Sequence, residues 1–197
     1  MDKKLKILAA GDLHGDIGLS KKLSKKAKKE KVDLVVLSGD INGSEDLGNK
    51  MLMPFSEANQ RVLFIPGNWE SSGEHEAMKK FGKSIHNYYV NYGDVGIVGI
   101  GSEDWHLELD KEDFKMIKEN FDRMKSKKRI LVSHLHAEGT GAEFSGIPGD
   151  KILRKAVEEF KPDLLISSHI HEAEGVEDKI GKTRVVQVGK KGKILEI

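Results

Sequence analysis

The sequence predicts an α/β domain with a largely parallel core sheet, because short apolar runs alternate with segments of helical periodicity. The apolar runs are rich in β-branched residues, and each is followed within two residues by Gly, Asp, Asn or His; they lie at 5–10, 34–38, 62–65, 97–100, 130–133 and 164–167. Continuous apolar runs of this length are typical of strands that are buried on both faces. Alternation of such strands with helices requires crossover connections, which favour parallel pairing.

The helical patterns lie at about 18–31, 49–59, 72–82, 111–126 and 149–160. Pro54 falls inside the second pattern and predicts a kink or a later start of that helix. The C-terminal part differs, because Gly181, Gly189 and Gly192 separate three predicted short strands at about 173–177, 184–188 and 193–197. We expect these runs to form an antiparallel meander. The apolar run at 88–90 could form an edge strand or an interface.

Composition predicts one globular domain that spans 1–197 and restricts the chemistry available to it. The chain has 197 residues, of which 38% are apolar and 33% charged, which is enough for one sizeable core. No apolar run approaches the roughly 18 residues that a membrane-spanning helix requires, so we expect a soluble, cytoplasmic protein without a membrane partner. The chain has no cysteine, so a transition-metal site must use His, Asp, Glu and Asn.

Net charge gives no strong indication of a nucleic-acid partner. The 33 basic residues are balanced by 32 acidic residues, which leaves a net charge of +1. Seven lysines lie between Lys21 and Lys31, with apolar residues at helical spacing, and this pattern predicts an amphipathic helix with a basic outer face. We expect that face to be a solvated surface rather than a nucleic-acid or membrane patch.

Side chains that can bind metal follow nearly every predicted strand. In chain order they are Asp12 and His14, Asp40, Asn68, His134 with His136, and His169 with His171. Turn chemistry explains Gly, Asp and Asn after a strand, but it does not explain the histidines. Because the carboxyl ends of strands in an open α/β sheet meet at one edge, we expect a metal site there.

The order and spacing of these motifs resemble those of the calcineurin-like metallophosphoesterases, in which Asp-x-His, Gly-Asp, Gly-Asn-His-Glu/Asp, His and Gly-His-x-His follow one another. The resemblance runs from Asp12 to His171, with Ser168 in place of the last glycine. It implies a two-sheet β-sandwich core flanked by helices in four layers, α/β/β/α. It also implies the ligand sets of two metal ions, with Asp40 as a bridge between them. One set is Asp12, His14 and His171, and the other is Asn68, His134 and His169.

The resemblance implies hydrolysis of a phosphoester by a hydroxide that bridges two divalent cations. Imidazole and carboxylate ligands suit Mn, Fe, Zn or Ni better than Ca or Mg, and we expect Mn first. Asp40 and Asn68 are the expected catalytic residues among the ligands. The expected substrate is a small-molecule or nucleotide-type phosphoester, with a diester favoured and monoester or pyrophosphate hydrolysis left open. The sequence does not predict the oligomeric state.

Besides Ser168, a second position departs from the family pattern, because Trp69 stands where a histidine usually follows the asparagine. That histidine can protonate the leaving oxygen, whereas an indole cannot give up a proton at ordinary pH. Losing such an acid costs on the order of a hundredfold to ten-thousandfold for a poor leaving group, and little for an activated ester. Small phosphodiesterases of the family lack this histidine, and so does a retromer scaffold subunit. The alternative function is therefore a catalytically weak or inactive metal-binding scaffold for a protein partner.

Two histidines could replace the missing acid. His136 is the first candidate for a catalytic role, although on extended backbone it alternates with His134 and can point the other way. His106 is the second.

Trp69 could stack on a nucleobase or aryl group, or only cover the rim of the site. The Gly-rich loop at 137–149 could be a lid, or a mobile loop without substrate contacts. Metal-dependent peptide hydrolysis is a third alternative, but the helical His-Glu-x-x-His pattern is absent.

Overall fold

Eleven strands and five α-helices are present in the computed structural model, which describes residues 4–43 and 48–197. In chain order the strands are β1 (Lys6–Ala10), β2 (Leu34–Leu37), β3 (Val62–Phe64), β4 (Lys83–Ser84), β5 (Tyr88–Tyr92), β6 (Val95–Ile100), β7 (Lys128–Ser133), β8 (Leu164–Ser167), β9 (Glu177–Ile180), β10 (Thr183–Gln187) and β11 (Lys193–Glu196). The helices are α1 (Ile17–Lys29), α2 (Gly48–Glu57), α3 (Ser72–Met78), α4 (Lys111–Arg123) and α5 (Lys151–Phe160).

The strands form two sheets with parallel centres. The first has the order β11-β1-β2-β3-β4, in which only β11 runs antiparallel to its neighbour. The second has the order β5-β6-β7-β8-β10-β9, with the antiparallel strands β5 and β9 at its edges. The predicted parallel α/β core is therefore confirmed, and β5 is the edge strand that the apolar run at 88–90 suggested.

The two sheets pack face to face as a sandwich. Ile7 and Ala9 of β1 share one buried cluster with Ile97 of β6 and Val132 of β7, because alternate residues of each strand point between the sheets. The outer face of the first sheet is covered by α1, α2 and α3, and that of the second by α4 and α5. The four-layer α/β/β/α arrangement is confirmed.

The helices follow their sequence patterns, but α1 to α4 end earlier than expected and α5 starts two residues later. α1 begins after Asp16, whose carboxylate accepts a hydrogen bond from the backbone N–H of Leu19 at 2.8 Å. It buries Leu23 and Ala27 against the first sheet and turns its lysines outward. Pro54 lies within α2, three residues from the end of that helix. No helix among the described residues is long and apolar enough to cross a membrane.

The predicted C-terminal meander is wrong. β9 and β10 form an antiparallel hairpin, but β10 also pairs in parallel with β8, and β11 crosses to the other sheet to pair with β1. Glycines mark where the chain turns, but they do not say which strand edge the next segment will cover. Pairing of β11 with β1 covers an exposed edge of the first sheet and buries Leu195 between the sheets.

Candidate metal centre

The predicted ligands meet at the carboxyl ends of the strands. Ligand atoms of Asp12, His14 and His171 lie within 4.8 Å of one another, and those of Asp40, His134 and His169 form a second such group. The first group joins the loop after β1 to the loop after β8. The second joins the loops after β2, β7 and β8. Sandwich packing thus brings together residues that lie up to 159 positions apart, from Asp12 to His171.

The first group has the donor atoms of a cation site. The Nε2 atoms of His14 and His171 lie 3.0 Å apart. Asp12 accepts a hydrogen bond through Oδ1 from the backbone N–H of His169 at 3.1 Å, whereas its buried Oδ2 has no hydrogen-bond partner among residues 4–43 and 48–197. A buried carboxylate oxygen without a partner is unfavourable. A divalent cation between these atoms would satisfy both the carboxylate and the two imidazole nitrogens.

The second group includes the predicted amide ligand. The Nε2 atom of His134 lies 2.9 Å from Oδ1 of Asn68 and 3.2 Å from Nδ1 of His169. Asp40 belongs to the second group and also faces the first, with Oδ1 3.5 Å from Nε2 of His134 and Oδ2 3.6 Å from Nε2 of His14. Each carboxylate oxygen therefore faces one group, as a bridging ligand requires.

Hydrogen bonds fix the orientation of His134. Its Nδ1 donates to the backbone carbonyl of Ser38 at 2.9 Å, which leaves the lone pair on Nε2, the atom that faces Asn68. The hydroxyl of Ser168 donates to the same carbonyl at 2.8 Å. Ser168 occupies the glycine position of the family motif, and the Gly11 backbone lies directly against its side chain. Ser168 therefore adds a hydrogen bond beside His134 that a glycine at this position could not make.

Glu70 supports the turn that carries Asp40, a role that its place in the sequence did not predict. Its carboxylate is fully buried and accepts four backbone N–H groups. Oε2 accepts from Asp40 at 2.9 Å and from Gly67 at 2.6 Å. Oε1 accepts from Ile41 at 2.6 Å and from Asn42 at 2.8 Å. The sequence signal for this role is that a glutamate lies two residues after Asn68, the asparagine of the family motif.

Four of the candidate ligands have backbone in the left-handed region, which is uncommon for residues other than glycine. The φ angles are 57° at Asp12, 45° at His14, 50° at Asp40 and 73° at His169. Such strain is concentrated at functional sites, where the surrounding structure holds it. Gly67 is part of this support, because a Cβ atom there would collide with the carboxylate and the backbone of Asp40.

Burial shifts the ionisation of the ligands in opposite directions. It raises the pKa of Asp12 to about 8, with the nearby charge of Asp40 adding to the shift. Burial raises the pKa of Asp40 in the same way. Burial lowers the pKa of His134 and of His169 to about 4. The imidazoles of His134 and His169 are therefore neutral at pH 7 and able to bind metal, and the carboxyl groups gain from a nearby cation.

Two exposed tryptophans border the first group. The Trp69 ring lies edge-on against His14, with ring centroids 5.4 Å apart, and is 49% exposed. The Trp105 ring lies 5.0 Å from that of Trp69, centroid to centroid. In the sequence, Trp105 stood out only as the neighbour of His106. His106 is exposed and donates from Nδ1 to the carbonyl of Glu103 at 2.9 Å.

His136 lies next to the second group but points into the Gly-rich loop. It is buried, and its Nε2 donates to the carbonyl of Ile147 at 3.3 Å. It also borders a cavity of about 600 Å³ that reaches His169. The loop contains a 3-10 turn, Gly141–Ser145, and contributes Ile147 and Pro148 to that cavity. A catalytic role for His136 stays a prediction.

Comparisons with known proteins agree on the family and the fold. The family model described as calcineurin-like phosphoesterase matches residues 5–173. TT1561 of Thermus thermophilus has a similar structure, with a TM-score of 0.71 and 15% identity over 98% of this chain and 99% of that one. A dimetal phosphatase from Danio rerio gives a TM-score of 0.68 and 12% identity over 96% of this chain and 88% of the other. An archaeal phosphodiesterase gives a TM-score of 0.54 and 15% identity over 98% of both chains. Among curated proteins, none matches the sequence.

Proposed function

This chain belongs to the calcineurin-like phosphoesterase family, and from that premise we propose that it hydrolyses a phosphodiester with two divalent metal ions. The observation that carries the proposal is the position of Asp40. Its two carboxylate oxygens face His14 and His134, one in each group of ligands, at 3.6 Å and 3.5 Å. A carboxylate in that position can offset the mutual repulsion of two cations.

The residues fit two cations. Asp12, His14 and His171 would hold one, Asn68, His134 and His169 would hold the other, and Asp40 would bridge them. Nitrogen and oxygen donors of this kind favour Mn, Fe, Zn or Ni, and Mn is the metal that we propose. When bound, two such ions supply an acidified water and neutralise charge on a phosphoryl group.

The chain's own residues set the charge and the geometry of the site. Asp12 and Asp40 are the only carboxylates in the ligand set, and Asn68 is neutral, so two divalent cations would leave the site positive and attractive to phosphate. The Ser38 carbonyl holds the His134 ring by its Nδ1–H group. Glu70 holds the Asp40 turn by four backbone N–H groups, so that the bridging carboxylate is already oriented.

One feature favours a diester over a monoester. The cavity beside His169 is lined mainly by apolar side chains, among them Leu107, Leu135 and Ile147, and offers room for a second organic group. Trp69 provides no proton for the leaving oxygen of either ester class, so the rate depends on how well that group departs unaided. Solved structures of similar fold are described as a dimetal phosphatase and a phosphodiesterase, which agrees with phosphoester chemistry of either class.

The test compares metal-stripped protein with and without added Mn²⁺ on bis(p-nitrophenyl) phosphate and on p-nitrophenyl phosphate. We expect Mn²⁺ to restore hydrolysis, with the diester turned over faster. Asp40→Asn removes one charge from the bridging position and should lower the rate towards background while the fold remains. Asp94→Asn is the matched control, because Asp94 is an exposed carboxylate that pairs with Lys127.

Either of two outcomes would contradict the proposal. Faster turnover of the monoester would remove the diester preference. A protein shown to bind two metal ions but unable to hydrolyse either ester would instead support the scaffold alternative, which the absence of an acid at Trp69 favours.

A further inference from the structure

Trp69 and Trp105 form a continuous aromatic surface that starts at the candidate metal centre. The Trp69 ring contacts His14 edge-on, and the Trp105 ring lies against Trp69 at an interplanar angle of 49°. Trp69 is 49% exposed and Trp105 is 64% exposed. Tryptophan is usually more buried than this, because its large ring contributes strongly to cores and interfaces. Two such rings exposed side by side at the edge of a site indicate a binding surface.

Both rings are held by the loops that carry the ligands. The backbone N–H of Trp69 donates to Oδ1 of Asp40 at 3.0 Å. The backbone N–H of Trp105 donates to the carbonyl of Asn68 at 2.9 Å, and that of Asp104 donates to the carbonyl of Glu70 at 2.9 Å. The aromatic surface is therefore fixed relative to the candidate ligands rather than carried on an independent loop.

The backbone at Asp104 and Trp105 is strained where it positions the Trp105 ring. Asp104 and Trp105 are consecutive non-glycine residues with φ angles of 56° and 63°. A bulky residue in the left-handed region is an outlier, and two in succession require outside support. Ser72 provides part of it, because its hydroxyl donates to Oδ2 of Asp104 at 2.6 Å. Burial of Trp105 does not explain the strain, since most of the ring remains exposed.

We propose that the Trp69–Trp105 surface stacks on a planar aromatic group of the substrate, so that the chain acts on phosphoesters that carry such a group. This inference rests on the proposed phosphoesterase function and names its substrate class. A nucleobase and a simple aryl group share the required chemistry, which is an exposed π-face next to a phosphoryl group. An aryl oxide also departs without protonation, which fits a site that has Trp69 in the position of the acid.

The test measures binding without turnover, so that it does not depend on catalysis. The ligands are phenylphosphonate, the phosphonate analogue of adenosine monophosphate, and methylphosphonate, because their C–P bonds resist hydrolysis. Calorimetry on metal-loaded protein gives the affinities. Tryptophan emission reports contact directly, because Trp69 and Trp105 are the only two tryptophans in the chain.

We expect at least one aromatic phosphonate to bind about fivefold to 150-fold more tightly than methylphosphonate, and to quench tryptophan emission. Trp105→Ala should remove most of this preference, and Trp105→Phe should retain part of it. Tyr88→Ala is the matched control, because Tyr88 is 63% exposed and borders a groove that contains none of the candidate ligands. Circular dichroism and metal stoichiometry establish that each variant is folded and loaded. Tighter binding of phenylphosphonate would indicate an aryl group in the substrate, and tighter binding of the adenosine monophosphate analogue would indicate a nucleobase.

Equal affinity for all three phosphonates would overturn the inference, as would a preference that survives Trp105→Ala and Trp69→Ala together. Failure to bind any phosphonate by protein loaded with two metal ions would overturn it as well. The two proposals fail separately. Loss of the aromatic preference in an active hydrolase removes only the substrate class, whereas an intact preference in a protein without hydrolysis removes only the catalytic function.

Discussion

Substitution of Glu70 by glutamine tests whether the buried carboxylate holds the metal-bridging turn. The two side chains have nearly the same shape, but glutamine replaces one acceptor oxygen by an NH₂ group. Each oxygen of Glu70 accepts two backbone N–H groups, so the NH₂ group would face two donors and satisfy neither. Hydrogen bonds to a charged group contribute about 1.5–3 kcal/mol each, so the two lost bonds cost about 3–6 kcal/mol. Glu70→Gln should lower the free energy of unfolding by less than this sum, because the uncharged amide avoids the desolvation penalty of the buried carboxylate.

Chemical denaturation of metal-free protein measures this loss. Burial raises the pKa of Glu70 to about 7, so pH 8 is suitable because most of the carboxyl group is then ionised. Glu74→Gln is the matched control, because Glu74 accepts from only one backbone N–H, that of Ser71, at 2.9 Å. It should cost about 1 kcal/mol. Metal affinity should fall in Glu70→Gln as the Asp40 turn relaxes. A Glu70→Gln loss no larger than that of the control would refute this account of the turn.

Three further predictions concern the centre and its rim. Burial raises the pKa of Asp12 from 3.8 to about 8, so in metal-free protein the contribution of this group to stability should be full below about pH 4 and fall as pH rises through 8. Metal binding at pH 7 should accordingly release a proton, and equal heats of binding in buffers of different ionisation enthalpy would contradict this. Gly67→Ala should abolish metal binding, because the new methyl group collides with Asp40. Gly73→Ala is the control and should leave metal binding intact, because the nearest atom to its new methyl group would lie 4.0 Å away. Calorimetric metal titration measures both. Trp69→His should raise the rate of hydrolysis far more for an alkyl ester than for a nitrophenyl ester, since only the alkoxide needs a proton. An equal gain in the steady-state rates on both esters would show that the missing acid does not limit turnover.

Local pattern was sufficient for the strands and the ligand motifs. The runs that became β1, β2, β3, β7 and β8 are mostly apolar and buried, so their assignment does not depend on the rest of the fold. The two-residue strand β4 has no such pattern, and the helix pattern at 72–82 ran close to it. The C-terminal partners were wrong for a related reason. β10 and β11 are recognisable strands, but their neighbours are set by which sheet edges remain open.

The sequence by itself supplied the candidate ligands, because the order and spacing of their motifs along the chain resemble those of the calcineurin-like phosphoesterases. It also determined the absence of an acid at Trp69. Only the tertiary structure decided how these groups meet. It placed the oxygens of Asp40 between two groups of ligands, put Glu70 beneath the bridging turn and set Trp105 against Trp69, 36 positions away in the chain. These relations depend on sandwich packing and on left-handed backbone that distant hydrogen bonds hold, and no local pattern of residues specifies either.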